Sequence, residues 1–149
     1  MATTAELPLT ELYLEDETAW LDSMAALARR RDGANLDWTH LEEYLTDMAR
    51  RDRREVKSRL VVLLSHVLKW EHQPEKRSGS WRATIRLQSL ELADLAARGS
   101  LRAHAEDVLS EAYEGAVSIA SAESGLPEAE FPESCPYELE FLLAMQLSE

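Results

Sequence analysis

One cysteine, five glycines and five prolines are spread over 149 residues. Cys135 alone closes no internal disulfide and cannot supply a multi-cysteine metal site, so disulfide scaffolds and zinc ribbons are excluded. No uninterrupted apolar run is longer than that of Leu60 to Leu64, whereas crossing a bilayer takes roughly 20 residues. No membrane partner is expected. Also missing are a phosphate-cradling glycine loop, a Gly-x-Ser-x-Gly elbow, a zincin pattern and any Glu-x-x-His. No catalytic residue, metal or cofactor is therefore assigned, and an enzyme has no specific motif behind it. Alternating strand patterns and internal repeats are absent too. Residues 1–10 are acidic and broken by Pro8, unlike the basic start of a secretory leader, so a cytoplasmic location is expected, with this stretch poorly ordered.

What is present is charge and helical periodicity. The chain carries 16 Lys+Arg against 28 Asp+Glu, a formal net charge of −12, and is 45% apolar. Residues 29–86 hold most of the bases, while both flanks are acidic. Such a middle can mark an anion or nucleic-acid surface, although helix faces of opposite sign can also neutralise one another.

Apolar residues recur at spacings of three and four between the few glycines and prolines. The expectation is an all-α, single-domain bundle over residues 1–149, with about five main helices around a long central one and a short C-terminal helix. A first helix spans about 16–31 and stops near Gly33, with Trp20, Met24, Leu27 and Ala28 on one face. A second starts after the N-cap Asp37, with Leu36 and Leu41 as a hydrophobic staple. Asp52 and Glu55 stand at capping-box spacing and open a third, central helix to about His72. Its apolar arc is Val56, Leu60, Val61, Leu63, Leu64, Val67, Leu68 and Trp70.

Pro74 ends the central helix, and Ser78, Gly79 and Ser80 turn the chain. A fourth helix covers about 80–97, presenting Trp81, Ile85, Leu92 and Leu95. A fifth, capped by Ser100, runs from about 101 to 124 with Ala105, Val108, Leu109, Ala112, Ala116, Ile119 and Ala120 on its contact face. Gly125 and Pro127 stop it. A terminal helix begins at Pro136, and Leu139, Phe141, Leu142, Leu143 and Met145 occupy more than one of its sides.

The stretch Leu63-Leu64-Ser65-His66-Val67-Leu68-Lys69-Trp70, with Gln73-Pro74, Arg77-Ser78 and residues 80–85, resembles the bacterial domain of unknown function family 29. Leu36-Asp37-Trp38, Leu41-Glu42-Glu43, Glu123, Gly125-Leu126-Pro127, Phe131-Pro132 and Cys135-Pro136-Tyr137 extend the likeness over nearly the whole chain. The resemblance implies an all-α fold and transfers no reaction, cofactor or partner. Ala49 replaces a glycine commoner in the family, which implies a less tightly turned joint between the second and third helices.

Function must then be argued from sites. The leading expectation is a small interaction or regulatory protein that self-associates or binds a protein partner, with the sticky terminal helix as the surface. The first alternative is a small-anion site at the corner between the third and fourth helices. There His66, Lys69, Trp70, Gln73, Ser78, Ser80, Trp81 and Arg82 offer cations, apolar walls and a helix N-terminus. The bland account of the same corner is a tryptophan clamp with serine caps and with Glu71 or Glu75 beside the cations. His66 is placed at the edge of the apolar arc, with Glu42 or Glu43 as its carboxylate partner. The second alternative is nucleic acid on the basic run 50–59, where Arg50, Arg54 and Lys57 share a face; the acidic total weighs against it. Cys135, read as an N-cap, gains thiolate character from the helix terminus, which Glu133 and Glu138 oppose.

Overall fold

Asp16 divides two helices: its own N–H closes the first on Leu12 O, and its carboxylate accepts from Ala19 N at 3.1 Å to open the second. These are α1 (Leu9–Glu15) and α2 (Glu17–Arg29). α1 is additional to the expected helices. The computed structural model describes residues 7–147, so of the stretch 1–10 residues 1–6 lie outside the described residues, and Leu9 and Thr10 begin α1. α2 stops earlier than Gly33. Arg31 takes the left-handed conformation (φ 58°), its N–H bonding Ala28 O while that of Asp32 reaches back to Leu27 O. This is a Schellman end with arginine in the position that glycine usually fills.

The chain divides into two compact units, Met1–Arg50 and Arg51–Glu149. In the first, Leu12, Trp20 and Met24 are buried, and Tyr13, Leu36, Leu41 and Tyr44 pack around them half-buried. Leu36 and Leu41 are the expected staple pair. Asp37 caps the next helix as expected, accepting from His40 N at 3.3 Å.

That helix, α3, runs from Trp38 to His72 as one element of 35 residues. The expected break at Asp52 is absent. Between Asp37 and Pro74 there is neither glycine nor proline, and Asp52 lies exposed within the helix, so no capping box forms. Glu55 instead pairs with Arg59 at 2.9 Å. At 1.5 Å per residue α3 is about 52 Å long.

In the second unit α3 is the central helix. Val56, Leu60, Leu63, Leu64, Val67, Leu68 and Trp70 are buried as the spacing predicts, and Val61 packs beside them. α4 (Gly79–Ala96) and α5 (Gly99–Ser124) cover it. Ser78 caps α4 by accepting from Trp81 N at 3.2 Å. Ser100 does not cap α5, which starts after Arg98 with no side-chain cap; Gly99 supplies the turn in a left-handed conformation, φ 75°.

Ala105, Ala112, Ala116 and Ala120 are buried on α5, but Ile119 is exposed and Tyr113 takes the core position instead. α5 runs alongside α3 in the same direction. His104 meets Arg53 O at 3.2 Å, Lys57 bonds Glu111 at 2.6 Å, and Lys69 pairs with Glu123.

Gly125 (φ 78°) closes α5 through an N–H bond to Ser121 O, as expected. The terminal helix α6 is shorter than expected, Leu139–Leu143, with Glu138 as N-cap. Pro136 precedes it outside any helix. Leu139, Leu142 and Met145 are buried, leaving Phe141 50% exposed. Ser89 holds this segment: its Oγ–H donates to Leu142 O at 2.7 Å, and the oxygen accepts from Met145 N at 3.1 Å. The fold is all-α, with no strand among the described residues.

Candidate functional site

The corner between α3 and α4 brings the aromatic and cationic residues together, with the cations engaged internally. Lys69 is 4% exposed, paired with Glu123, and its ammonium lies 5.1 Å from the centre of the Trp81 ring. Arg77 and Arg82 cover the Trp70 ring at 4.8 and 5.6 Å. Arg77 Nε–H also donates to Trp70 O at 2.8 Å, closing the C-terminal end of α3. Glu71 serves none of these cations; it accepts from Tyr137 OH at 2.6 Å.

Ser78 fills the start of α4, Gln73 is buried, and Ser80 is exposed. His66 bonds its own helix at Val62 O, 2.9 Å, rather than a carboxylate. Three cation–π contacts and one ion pair thus engage Lys69, Arg77 and Arg82 within the chain.

The basic run separates into two groups. Lys57 is bound to Glu111, and Arg59 to Glu55 and Gln88. Arg50, Arg51, Arg53 and Arg54 are exposed and form no ion pair among the described residues.

Sequence reasoning missed a polar cluster inside the first unit. Asp37 Oδ2 accepts from Trp20 Nε1 at 3.1 Å and meets His40 Nδ1 at 2.6 Å. Tyr13 stacks on His40 with ring centres 4.3 Å apart. Burial pushes the Asp37 carboxyl up, but the bonds from His40 and Trp20 outweigh it, so its pKa lies below the ordinary 3.8.

A lowered carboxyl pKa gives stability that is full above the unfolded value and is lost as pH falls through the folded value. Asp37→Asn is therefore expected to cost about 1–3 kcal/mol near neutral pH. Denaturant midpoints of the two proteins should converge below about pH 3.8. A gap independent of pH would refute the role given to the carboxylate.

Cys135 is no N-cap, because α6 starts at Leu139. Burial pushes its thiol up, the reverse of activation; its Sγ sits 3.5 Å from Tyr137 O. Among the described residues no group of three or more His, Cys, Asp or Glu could hold a metal ion.

A cleft lies elsewhere in the second unit. Tyr113, Glu114 and Val117 on α5 face Glu128, Ala129, Phe131, Pro132 and Glu133 across a cleft of about 460 Å³. After Gly125 the chain folds back, with Ser121 Oγ–H donating to Leu126 O at 2.6 Å. The short turn Glu128–Glu130 follows, and Tyr113 OH pins it by donating to Pro132 O at 2.5 Å. Phe131 is buried against His72, their rings 5.0 Å apart. The floor is thus apolar and fixed. Glu114, Glu128 and Glu133 rim it, exposed and without an ion pair among the described residues. The only signal in the sequence was glutamate interleaved with proline after Gly125, and Tyr113 within a stripe of alanines.

No curated protein and no solved structure matches the chain. A family model, Domain of unknown function DUF29, matches residues 12–147. With nearly the full length matched, the chain belongs to the DUF29 family.

Proposed function

We propose that this protein is a small helical interaction module, and that the cleft beside α5 takes a cationic, partly apolar protein surface. The observation that supports this is the cleft itself: a fixed apolar floor under three glutamates that have no ion pair among the described residues. It replaces the terminal helix as the binding surface, since Leu139, Leu142 and Met145 are buried. A cytoplasmic location accords with the lone thiol at Cys135.

Magnitudes bound the affinity. Burying one aliphatic side chain contributes about 1.5–3 kcal/mol, and each partly exposed ion pair adds about 0–1 kcal/mol. Set against the cost of association, these give weak, salt-sensitive binding.

The test uses fluorescence anisotropy with a labelled peptide of alternating arginine and leucine. Glu128→Lys with Glu133→Lys is expected to weaken binding about tenfold, about 1.4 kcal/mol. Asp94→Lys with Asp107→Lys, the same charge change outside the cleft, should leave most of it. Equal losses in both pairs would reduce the effect to general electrostatics and end the proposal.

A further inference from the structure

We infer that the cationic surface received by the cleft is the arginine block of another copy of this chain, so that copies associate head to tail. The inference rests on the cleft reading above and goes one step further by naming the occupant.

Within the second unit some cations of the helices have carboxylate partners and others do not. Lys57, Arg59, Lys69 and Arg102 all have carboxylate partners in the same chain. Among the described residues Arg51, Arg53, Arg54, Arg82 and Arg86 have no ion pair; Arg82 covers the Trp70 ring and Arg86 donates to Met145 O, whereas Arg51, Arg53 and Arg54 lie exposed at the start of the unit's stretch of α3. Glu114, Glu128 and Glu133, three of several exposed carboxylates without an ion pair among the described residues, line the cleft, Glu114 opposite the other two. Two exposed cations on one helix face, Arg51 and Arg54, thus stand against the exposed carboxylates around a concave floor.

Arginine suits that floor as well as the rim. Its methylene stem packs on apolar surface while the guanidinium stays at the edge, and its planar head stacks on aromatic rings and grips carboxylates with two parallel bonds. Arg51 and Arg54 are three residues apart on α3, which places them on adjoining positions of one helix face. Val117, Phe131 and Pro132 offer the apolar bed.

The total of −12 opposes association at long range. Beyond the Debye length, about 8 Å at physiological ionic strength, that repulsion is screened, whereas contacts at the patch itself are not. Local complementarity then decides. Because the two patches are different surfaces, the contact is heterologous and leaves one of each free at the ends of a pair, so growth continues with concentration.

Sedimentation of the full chain from micromolar to millimolar concentration tests this. The wild type is expected to grow in mean mass with concentration, and to return to monomer in about 1 M salt, where the Debye length is about 3 Å. Arg51→Glu with Arg54→Glu should be monomeric, as should Glu128→Arg with Glu133→Arg, both with unchanged helical circular dichroism. Mixing these two variants offers an intact block to an intact cleft and a reversed block to a reversed cleft, so association is expected to return in the mixture. Placing all four reversals in one chain should restore association.

A wild type that stays monomeric while the arginine–leucine peptide still binds would overturn the self-association and leave the cleft reading standing; loss of peptide binding as well would remove both. If the wild type is monomeric and oligothymidylate binds it, with Arg51→Glu and Arg54→Glu abolishing that binding, the arginines belong to nucleic acid and the inference falls.

Discussion

Trp20→Ala is expected to destabilise the first unit by about 3–5 kcal/mol, the range for removing a large buried aromatic. Trp20 has no solvent exposure, and among the described residues Leu12 and Met24 are the buried apolar side chains packed with it. Deleting it therefore removes the largest part of a core too small to collapse around the gap. The indole N–H is also the donor to Asp37 Oδ2, so the substitution strips a buried carboxylate of one partner. Trp20→Phe keeps most of the packing and loses only the hydrogen bond, with an expected cost of about 1–3 kcal/mol. Amide exchange across residues 9–50 reads both effects, and protection that survives Trp20→Ala would show that the unit does not depend on this side chain.

Ser89→Ala should cost about 2–4 kcal/mol, far more than the usual surface serine. One hydroxyl, fully buried, serves two backbone groups at once: it donates to Leu142 O and accepts from Met145 N. Removing it leaves both without a partner away from water, at about 1–3 kcal/mol each. Arg86 also donates to Met145 O, at 3.0 Å, and holds part of the segment in place. The expected signature is early exchange of amides 142–145 together with a lower unfolding midpoint, and Ser89→Thr should retain more stability than Ser89→Ala. A midpoint unchanged in Ser89→Ala would mean that the terminal segment contributes little to the core.

Local rules made much of this fold legible. Asp37 as a cap, Ser78 at the start of α4, Gly125 at the end of α5 and the stripe from Val56 to Trp70 each depend on a few neighbouring residues, and each stands where spacing put it. Failures arose where local signals were permissive rather than compelling. Asp52 and Glu55 have capping spacing, yet nothing between Asp37 and Pro74 breaks a helix, so continuation won. Gly33 looked like a stop because arginine rarely takes the conformation that Arg31 adopts.

The sites were less legible for a different reason. The residues of the α3–α4 corner were found, but their partners come from far along the chain: Glu123 is 54 residues from Lys69, and Tyr137 is 66 from Glu71. The cleft could not be anticipated either, because Tyr113 and Pro132 meet only after the chain reverses at Gly125.

The side-by-side run of α3 and α5 bears on how the second unit comes into being. Its polar links join residues 51, 54 and 54 positions apart, so none can close until the whole of α4 has been laid down between them. Closing loops of that size is entropically costly. The nascent chain thus emerges with Lys69 lacking its counter-ion, and that interval ends only when Glu123 has left the ribosome.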